Sequence, residues 1–483
     1  MTQQARQAYG NLRLKRIAGF FRTLLRNRMA AVGMVFLLGY VFVAIAAPII
    51  TPYSPLTEVS GVNAQPEWVM YFPEGYYLSK NLVVVSDPLF NSPASVQAWQ
   101  FSSTTASPNI LVSYTRGVSD PSIQSSIGSM QLSHPSAGNA SATLSRTFNY
   151  PYHGPPSKFL AGMSLFASGA TPSNPISIAL LVNRGDLIFP IYTGSVINSG
   201  QWSLAGVDSA ALTTIGSNTP EQVIFSALKD YSFQLQVTFH GSQQLNIDNL
   251  QLRLLGTAWG ILGTDFDGHD VFSWVVYGAQ ISLFVGFLAA AIGIGLGLLV
   301  GLLAGFLGPL IDQALMRFTD MILVIPTLPL LIVLVSVLGA RLINIIIVIG
   351  FFGWMGFARV IRSQVLTLKE RPFIEAAKAA GSTPMRTLGT HVFPNLVSLT
   401  YVNLALSVPA AILTEAALEF LGLGDPSVIS WGILFYNVEV SGGFREWWWI
   451  IPPGISIAIV SLSFVLIGYA LDELFNPKLR RRR

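Results

Sequence analysis

The sequence predicts an α-helical membrane protein of six spans, with an all-β domain inserted between the first and second. Three observations predict it. Only 11% of the 483 residues are charged and 51% are hydrophobic, against roughly 25% charged in a soluble domain. Charge-free runs long enough to cross a bilayer recur along the chain. A polar stretch between the first two runs alternates with a period of 2. The charge deficit excludes an ordinary cytosolic enzyme and a disordered chain.

A spanning helix needs about 20 mostly apolar residues. Met29 to Ile50 is the first run. It lies too far from the start, and is too long, for a cleaved signal peptide, and reads as a retained helix. Val271 to Ile311 holds 41 residues without a charge, enough for an interfacial entry and a long span. Met321 to Ala340 and Leu342 to Ala358 follow, hinged near Gly339 to Asn344. Val392 to Leu418 is the fifth run, and Trp447 to Leu471 the sixth. The last opens on three tryptophans, which suit an aromatic belt.

Basic residues orient these spans. Seven precede the first: Arg6, Arg13, Lys15, Arg16, Arg22, Arg26 and Arg28. Lys478 and Arg480 to Arg483 end the chain. Arg359, Arg362, Lys369, Arg371, Lys378 and Arg386 lie between the fourth and fifth spans. Six spans put all three groups on one side, the cytoplasm by the positive-inside rule. The expected organisation is a basic cytoplasmic segment 1–28, a first span 29–50, an extracytoplasmic β domain 51–258, a helical core 259–475 with a cytoplasmic loop 363–391, and a basic tail 476–483. The net charge of +4 thus reports topology and not nucleic-acid binding.

The inserted domain reads as a β-sandwich or jelly roll by its many short strands. Tyr231, Phe233, Leu235, Val237 and Phe239 alternate with polar residues, as do Leu245 and Ile247, then Leu250, Leu252 and Leu254. Ile110 to Tyr114, Phe159 to Phe166 and Ile176 to Val182 are further strand candidates. The run Leu245 to Leu250 is similar to the closing strands of carbohydrate-binding jelly rolls, although a structural sandwich without a ligand is the favoured reading. Asn139-Ala140-Ser141 is a glycosylation triplet.

Between the fourth and fifth spans the sequence reads Glu375-Ala376-Ala377-Lys378-Ala379-Ala380-Gly381, then His391-Val392-Phe393-Pro394-Asn395. Ala and Lys favour helix, Gly381 can cap it left-handed, and Pro384 can open a second short helix. The result is a small-residue knob whose backbone could enter a groove on another protein. A plain interhelical linker is the alternative.

This pattern resembles the coupling motif of ABC importer permeases. The resemblance narrows to the dipeptide and oligopeptide class, C-type subunit. Asn27-Arg28-Met29-Ala30 is similar to its N-terminal segment. Leu262-Gly263-Thr264-Asp265 with Gly268, Asp270 and Ser273 resembles its signature before the second span. Met316-Arg317-Phe318, Asp320 and Pro326, then Ala358-Arg359 and Arg362, follow in order. Glu415, Phe420-Leu421-Gly422-Leu423-Gly424, Trp431-Gly432 and Pro453-Gly454 complete it. The match covers about 20–50 and 255–480. His269 and Trp274 stand where the class usually has Arg. Gly468-Tyr469 and Leu471-Asp472 stand where it has Gly-Asp and Arg-Asp. The large outer domain is not part of the pattern.

The resemblance implies an ABC importer permease fold and docking on a cytoplasmic ATPase through Glu375, Ala376, Ala377 and Gly381, flanked by Arg371 and Lys378. It implies a second homologous permease, two ATPase subunits and an extracytoplasmic substrate-binding protein as partners. Cargo would be di- or oligopeptides, with oligosaccharides or nickel as alternatives. The chain lacks a phosphate-binding loop and any nucleophile–base set. ATP and Mg therefore belong to the partner subunits, and the chain itself is not expected to be an enzyme or to carry a cofactor.

Glu415 and Glu419, at i and i+4, have two readings: on the translocation path or outer gate, since acids in a membrane are costly, or in the headgroup zone. Pro326 and Pro329 would kink the third span, facing a pore or a packing contact. Asp265, Asp267, His269 and Asp270 lack calcium-loop spacing. Asp265 and Asp270 are expected as caps in an outer-interface motif with Gly263, Thr264 and Gly268, not as metal ligands. With no cysteine and no histidine pair at ligand spacing, no metal site is expected. Two other classes compete. A membrane-anchored receptor would work through the β domain but leaves the Glu375 loop unexplained. An ion-coupled transporter would need ionisable residues in mid-span.

Overall fold

The computed structural model describes residues 24–51, 53–103, 110–212, 218–226 and 228–475. Arg6, Arg13, Lys15, Arg16, Arg22, Lys478 and Arg480 to Arg483 lie outside the described residues. Two compact units form: Leu56–Phe272, and Met1–Pro55 with Ser273–Arg483.

The first unit is an antiparallel β-sandwich. Its strands are β1 (Leu82–Val83), β2 (Gln100–Ser103), β3 (Leu111–Arg116), β4 (Gly128–His134), β5 (Asn139–Tyr150), β6 (Lys158–Ser168), β7 (Ile176–Arg184), β8 (Leu187–Val196), β9 (Trp202–Asp208), β10 (Lys229–His240) and β11 (Gln243–Leu255). One sheet runs β3-β4-β11-β6-β9 with β1 beside β11, and the other runs β2-β5-β10-β7-β8. The period-2 residues predicted for β10 are all buried, at 0–1% exposure. They join Leu245, Ile247, Leu250, Leu252 and Leu254 in one core. The core positions of β11 change from odd to even numbers because Asn249 takes a left-handed φ of 49° and the register with β6 shifts between Asp248 and Gln251. One extra residue flips the side chains back onto the core face.

That bulge lies within the run Leu245 to Leu250. Asn246 and Asp248 are buried. The Asp248 carboxylate accepts from the Asp120 N–H at 3.0 Å, the Ser126 hydroxyl at 2.7 Å and the Asn249 N–H at 2.7 Å. Burial holds the Asp248 carboxyl above its usual range. The Asp248 carboxylate and the Asn246 carbonyl, which accepts from Gln131, are thus used within the sandwich.

The sandwich extends beyond Ala258, to Phe272, where the sequence suggested that the helical core already begins. Residues 257–270 are knitted to 58–65. Gln65 N–H donates to Thr257 O at 2.8 Å, Trp259 N–H to Gln65 O at 2.8 Å, and Val59 N–H to Gly268 O at 2.9 Å. The segment lacks a hydrophobic period, so its membership rests on backbone hydrogen bonds that spacing does not reveal.

The second unit is helical: α1 (Arg28–Ile50), α2 (Val271–Phe306, whose first two residues belong to the other unit), α3 (Pro309–Val324), α4 (Thr327–Leu338), α5 (Leu342–Phe352), α6 (Met355–Lys369), α7 (Pro372–Ala379), α8 (Pro384–Thr387), α9 (Phe393–Leu418), α10 (Trp431–Ser441) and α11 (Trp447–Phe475). Among the described residues five helices or helix runs are long and apolar enough to cross a membrane, and six if the pair α3 and α4 counts as one span. The third run is therefore not a kinked helix over Met321 to Ala340. It breaks at Ile325-Pro326 with an 87° bend, because the Pro326 ring removes a donor and the residue before it is pushed to extended geometry. The fourth run continues past Ala358 to Lys369, with an interruption at Gly353-Trp354. α10 was not legible as an element in advance. Ser430 caps its start by accepting from Ile433 N–H, and Gly442, left-handed at φ 71°, ends it.

Glycines let α2 approach α6 closely. A Cβ on Gly297 would stand 2.7 Å from Trp354 O, and one on Gly301 2.6 Å from Ala358 O. Side chains larger than hydrogen cannot fit there, and small residues at four-residue spacing are how membrane helices reach such contact.

Candidate functional site

The loop between α6 and α9 is built around one anchor. α6 ends at Lys369, and Arg371 is the N-cap residue of α7, with Pro372 at its first position. Pro is suited to that position because its missing N–H would be unpaired anyway. Ile374 is 0% exposed and packs with Ile361, Val365, Leu388, Val392 and Leu396. Arg371, Glu375, Ala376, Lys378 and Gly381 are exposed and Ala377 is half-buried. Glu375 in the first turn and Lys378 in the last both complement the helix dipole.

The turn at the end of α7 is a Schellman-type closure. Gly381 has φ +81°, its N–H donates to Lys378 O at 2.9 Å, and Ser382 N–H donates to Ala377 O at 3.1 Å. Thr383 then caps α8 by accepting from Arg386 N–H, and Pro384 occupies its first position. The two short helices and the Gly corner expected from sequence are present. Phe373 (45%) and Met385 (62%) add large exposed apolar surface to the knob. Sequence reasoning missed both; the signal was a bulky apolar residue on either side of an Ala-rich turn.

The other predicted residues separate into three places. Glu415 and Glu419 are each 0% exposed. Ser282 donates to Glu415 at 3.4 Å, and Ser430 donates to Glu419. They thus bind α9 to α2 and to the start of α10. Pro326 and Pro329 are exposed at the α3–α4 break. A cavity of about 170 Å³ opens between α2, α4, α5 and α9, walled by Gly293, Thr327, Leu331, Ser407, Ala411 and Thr414 among others. Its lining is uncharged, small residues beside Leu331, Ile349 and Phe352, and neither the two glutamates nor the two prolines are on it. Thr327, Ser407 and Thr414 escaped the sequence reading because they are isolated polar residues on different helices.

Gly263, Thr264, Asp265, Gly268 and Asp270 form the seam of the β unit. Thr264 Oγ1 donates to Gly61 O at 2.6 Å and accepts from Ala64 N–H at 2.8 Å. Asp265 Oδ1 accepts from the N–H groups of Asp267 (2.9 Å) and His269 (2.8 Å), and Oδ2 lies 3.0 Å from His269 Nδ1. The hydrogen bond to Asp265 holds the His269 imidazole above its ordinary range. Asp265 is therefore the turn cap expected. A bridge pairs Thr264 with Asp270. Trp274, the second departure from the family pattern, donates its indole N–H to Pro55 O at 2.9 Å.

Two family models match the chain. Residues 297–481 match the binding-protein-dependent transport system inner membrane component, and residues 16–66 the N-terminal TM domain of oligopeptide transport permease C. Most of the β-sandwich lies between the two matches. The dipeptide transport system permease protein DppC of Bacillus subtilis (strain 168) is 37% identical over 220 residues, covering 45% of this chain and 69% of that one. The oligopeptide transport system permease protein OppC of the same organism is 36% identical over 220 residues, covering 45% and 72%. The glutathione transport system permease protein GsiD of Escherichia coli O6:K15:H31 is 36% identical over 219 residues, covering 45% and 72%. With its apolar helices, its exposed Ala-rich loop and these relatives, the chain belongs to the inner membrane components of binding-protein-dependent transport systems, as a multi-pass permease subunit of the dipeptide and oligopeptide ABC importer class.

Proposed function

We propose that this chain forms half of the translocation pore of an ATP-driven importer of di- or oligopeptides, paired with a second, homologous permease. Two cytoplasmic ATPases power it, holding ATP and Mg, and an extracytoplasmic binding protein delivers cargo. The observation that carries the reading is the exposed helix α7, held by Ile374 alone among its residues and closed by Gly381. A helix fixed at one point, presenting Ala376, Ala377 and Phe373 beside Met385 of α8, can enter a groove and move as one piece with α6. The basic residues support a topology of six spans, with α3 and α4 as one, in which both termini and this loop are cytoplasmic and the β-sandwich is outside.

The small uncharged cavity wall supports peptides of varied side chain, since it sets no fixed charge against them. For the β-sandwich we favour docking the binding protein over the entrance. Deleting the sandwich should then leave assembly intact and impair delivery.

The chain contains no cysteine, so Ala377→Cys creates a unique thiol. With a bifunctional maleimide it should cross-link to an ATPase subunit in native membranes, and Leu187→Cys, exposed on β8, should not. Equal ATPase cross-linking from both positions would contradict the reading.

A further inference from the structure

The cytoplasmic loop needs a route by which its movement reaches the cavity wall, and α3 supplies one. α3 has one buried residue, Thr319, and its Ile322 packs against the start of α6 at Trp354, Met355 and Ala358. Two ion pairs join the same helices. Arg362 meets Asp312 through both carboxylate oxygens, with Nη2 to Oδ2 at 2.6 Å, and Arg359 meets Asp320. Arg359 and Arg362 stand three residues apart, on one face of α6. α6 runs into α7 with only Glu370 and Arg371 between them. At its other end α3 meets α4 at the 87° break, and α4 contributes Thr327 and Leu331 to the cavity. Leu331 and Val335 of α4 pack with Val285, Ile345, Ile346 and Ile349.

Resting on the docking role of α7, we propose that Asp312 and Asp320 are positioning residues: the Arg362–Asp312 and Arg359–Asp320 pairs clamp α3 to α6, so that displacement of α7 turns the broken helix and moves the α4 wall of the cavity. The bidentate, half-buried Arg362–Asp312 pair fixes direction as well as distance. The Arg359–Asp320 pair is more than half exposed on both sides, so it is a weak stabiliser, but it stops α3 from pivoting about the first pair. One pair gives a hinge, and two give a lever.

The test uses the full transporter in lipid nanodiscs, with spin labels at Thr367→Cys (exposed near the end of α6) and Val333→Cys (exposed on α4), each paired with a label at Val83→Cys, exposed on β1. Distances are measured before and after trapping with ATP and vanadate. In the otherwise unchanged chain both pairs should shift on trapping. With Asp312→Arg and Asp320→Arg the Thr367 pair should still shift, while the shifted fraction of the Val333 pair falls at least five-fold. Adding Arg362→Asp and Arg359→Asp should restore it to within two-fold. Should the reversals not fold, Asp312→Asn with Asp320→Asn keeps the shape and should cut the shifted fraction at least two-fold. A full Val333 shift in every variant overturns the clamp. A failure of ATPase to co-purify with the unsubstituted chain would instead overturn the docking role, which separates the two failures.

Discussion

The N–H of Ser382 donates to the carbonyl of Ala377 at 3.1 Å, across Gly381 at φ +81°. This bond ends α7 and turns the chain into α8. No atom lies within 4 Å of where a Gly381 Cβ would be, so the requirement for glycine is conformational and not steric crowding. Gly381→Val places a β-branched residue in the left-handed region, at a cost of about 1–2 kcal/mol. Hydrogen exchange should accelerate about ten-fold over residues 376–387, by a local opening, with α9 and α11 unchanged.

Ile374 is the buried foot of that helix. Ile374→Ala should cost about 2–4 kcal/mol of local stability, releasing α7 while the spans stay folded. Limited proteolysis at Arg371 or Lys378 in the intact membrane protein checks this: cleavage should become much faster in the variant. Ala376→Ser, on the exposed side, should leave the rate unchanged.

The close contact of α2 and α6 makes a sharper steric case. Gly301→Leu sets a side chain 2.6 Å from the carbonyl of Ala358, starting at its Cβ, and backbone cannot move aside cheaply. It should destabilise by more than about 3 kcal/mol and send the protein to the void volume on size exclusion. Gly295→Ala, where nothing lies within 4 Å, should be neutral or stabilising by up to about 1 kcal/mol.

His269 gives the β unit a pH dependence of known sign. Its pKa is raised by the hydrogen bond from its ring to Asp265. A raised histidine contributes stability that is fully present below its unfolded pKa and is lost as pH rises through the folded value. The seam 257–270 should therefore exchange more slowly at pH 6 than at pH 8.5, after correction for intrinsic rates. His269→Gln should remove that difference.

Where a physical period governs an element, the sequence announced it. The core of β10 alternates at every second residue, and the Ala-rich run before Gly381 is the helix and cap it suggested. The sites that failed to announce themselves depend on contacts across the chain. Asp312 and Arg362 are 50 residues apart, and nothing in their spacing pairs them. Thr327 and Thr414 reach one cavity from different helices. Pro326 announced a disturbance of the third span, but a proline alone does not distinguish a kink from an 87° break. Glu415 and Glu419 stood out by chemistry, and their partners Ser282 and Ser430 became visible only with the fold.

The most direct measurement is co-purification from native membranes of the unsubstituted chain beside Glu375→Arg with Gly381→Trp, two exposed positions on the knob that α7 and α8 form. The unsubstituted chain should bring down the ATPase subunits and the second permease. The double variant should lose at least nine-tenths of the ATPase and keep the permease. Full retention of the ATPase by the double variant, at equal yield of folded protein, would contradict docking through α7.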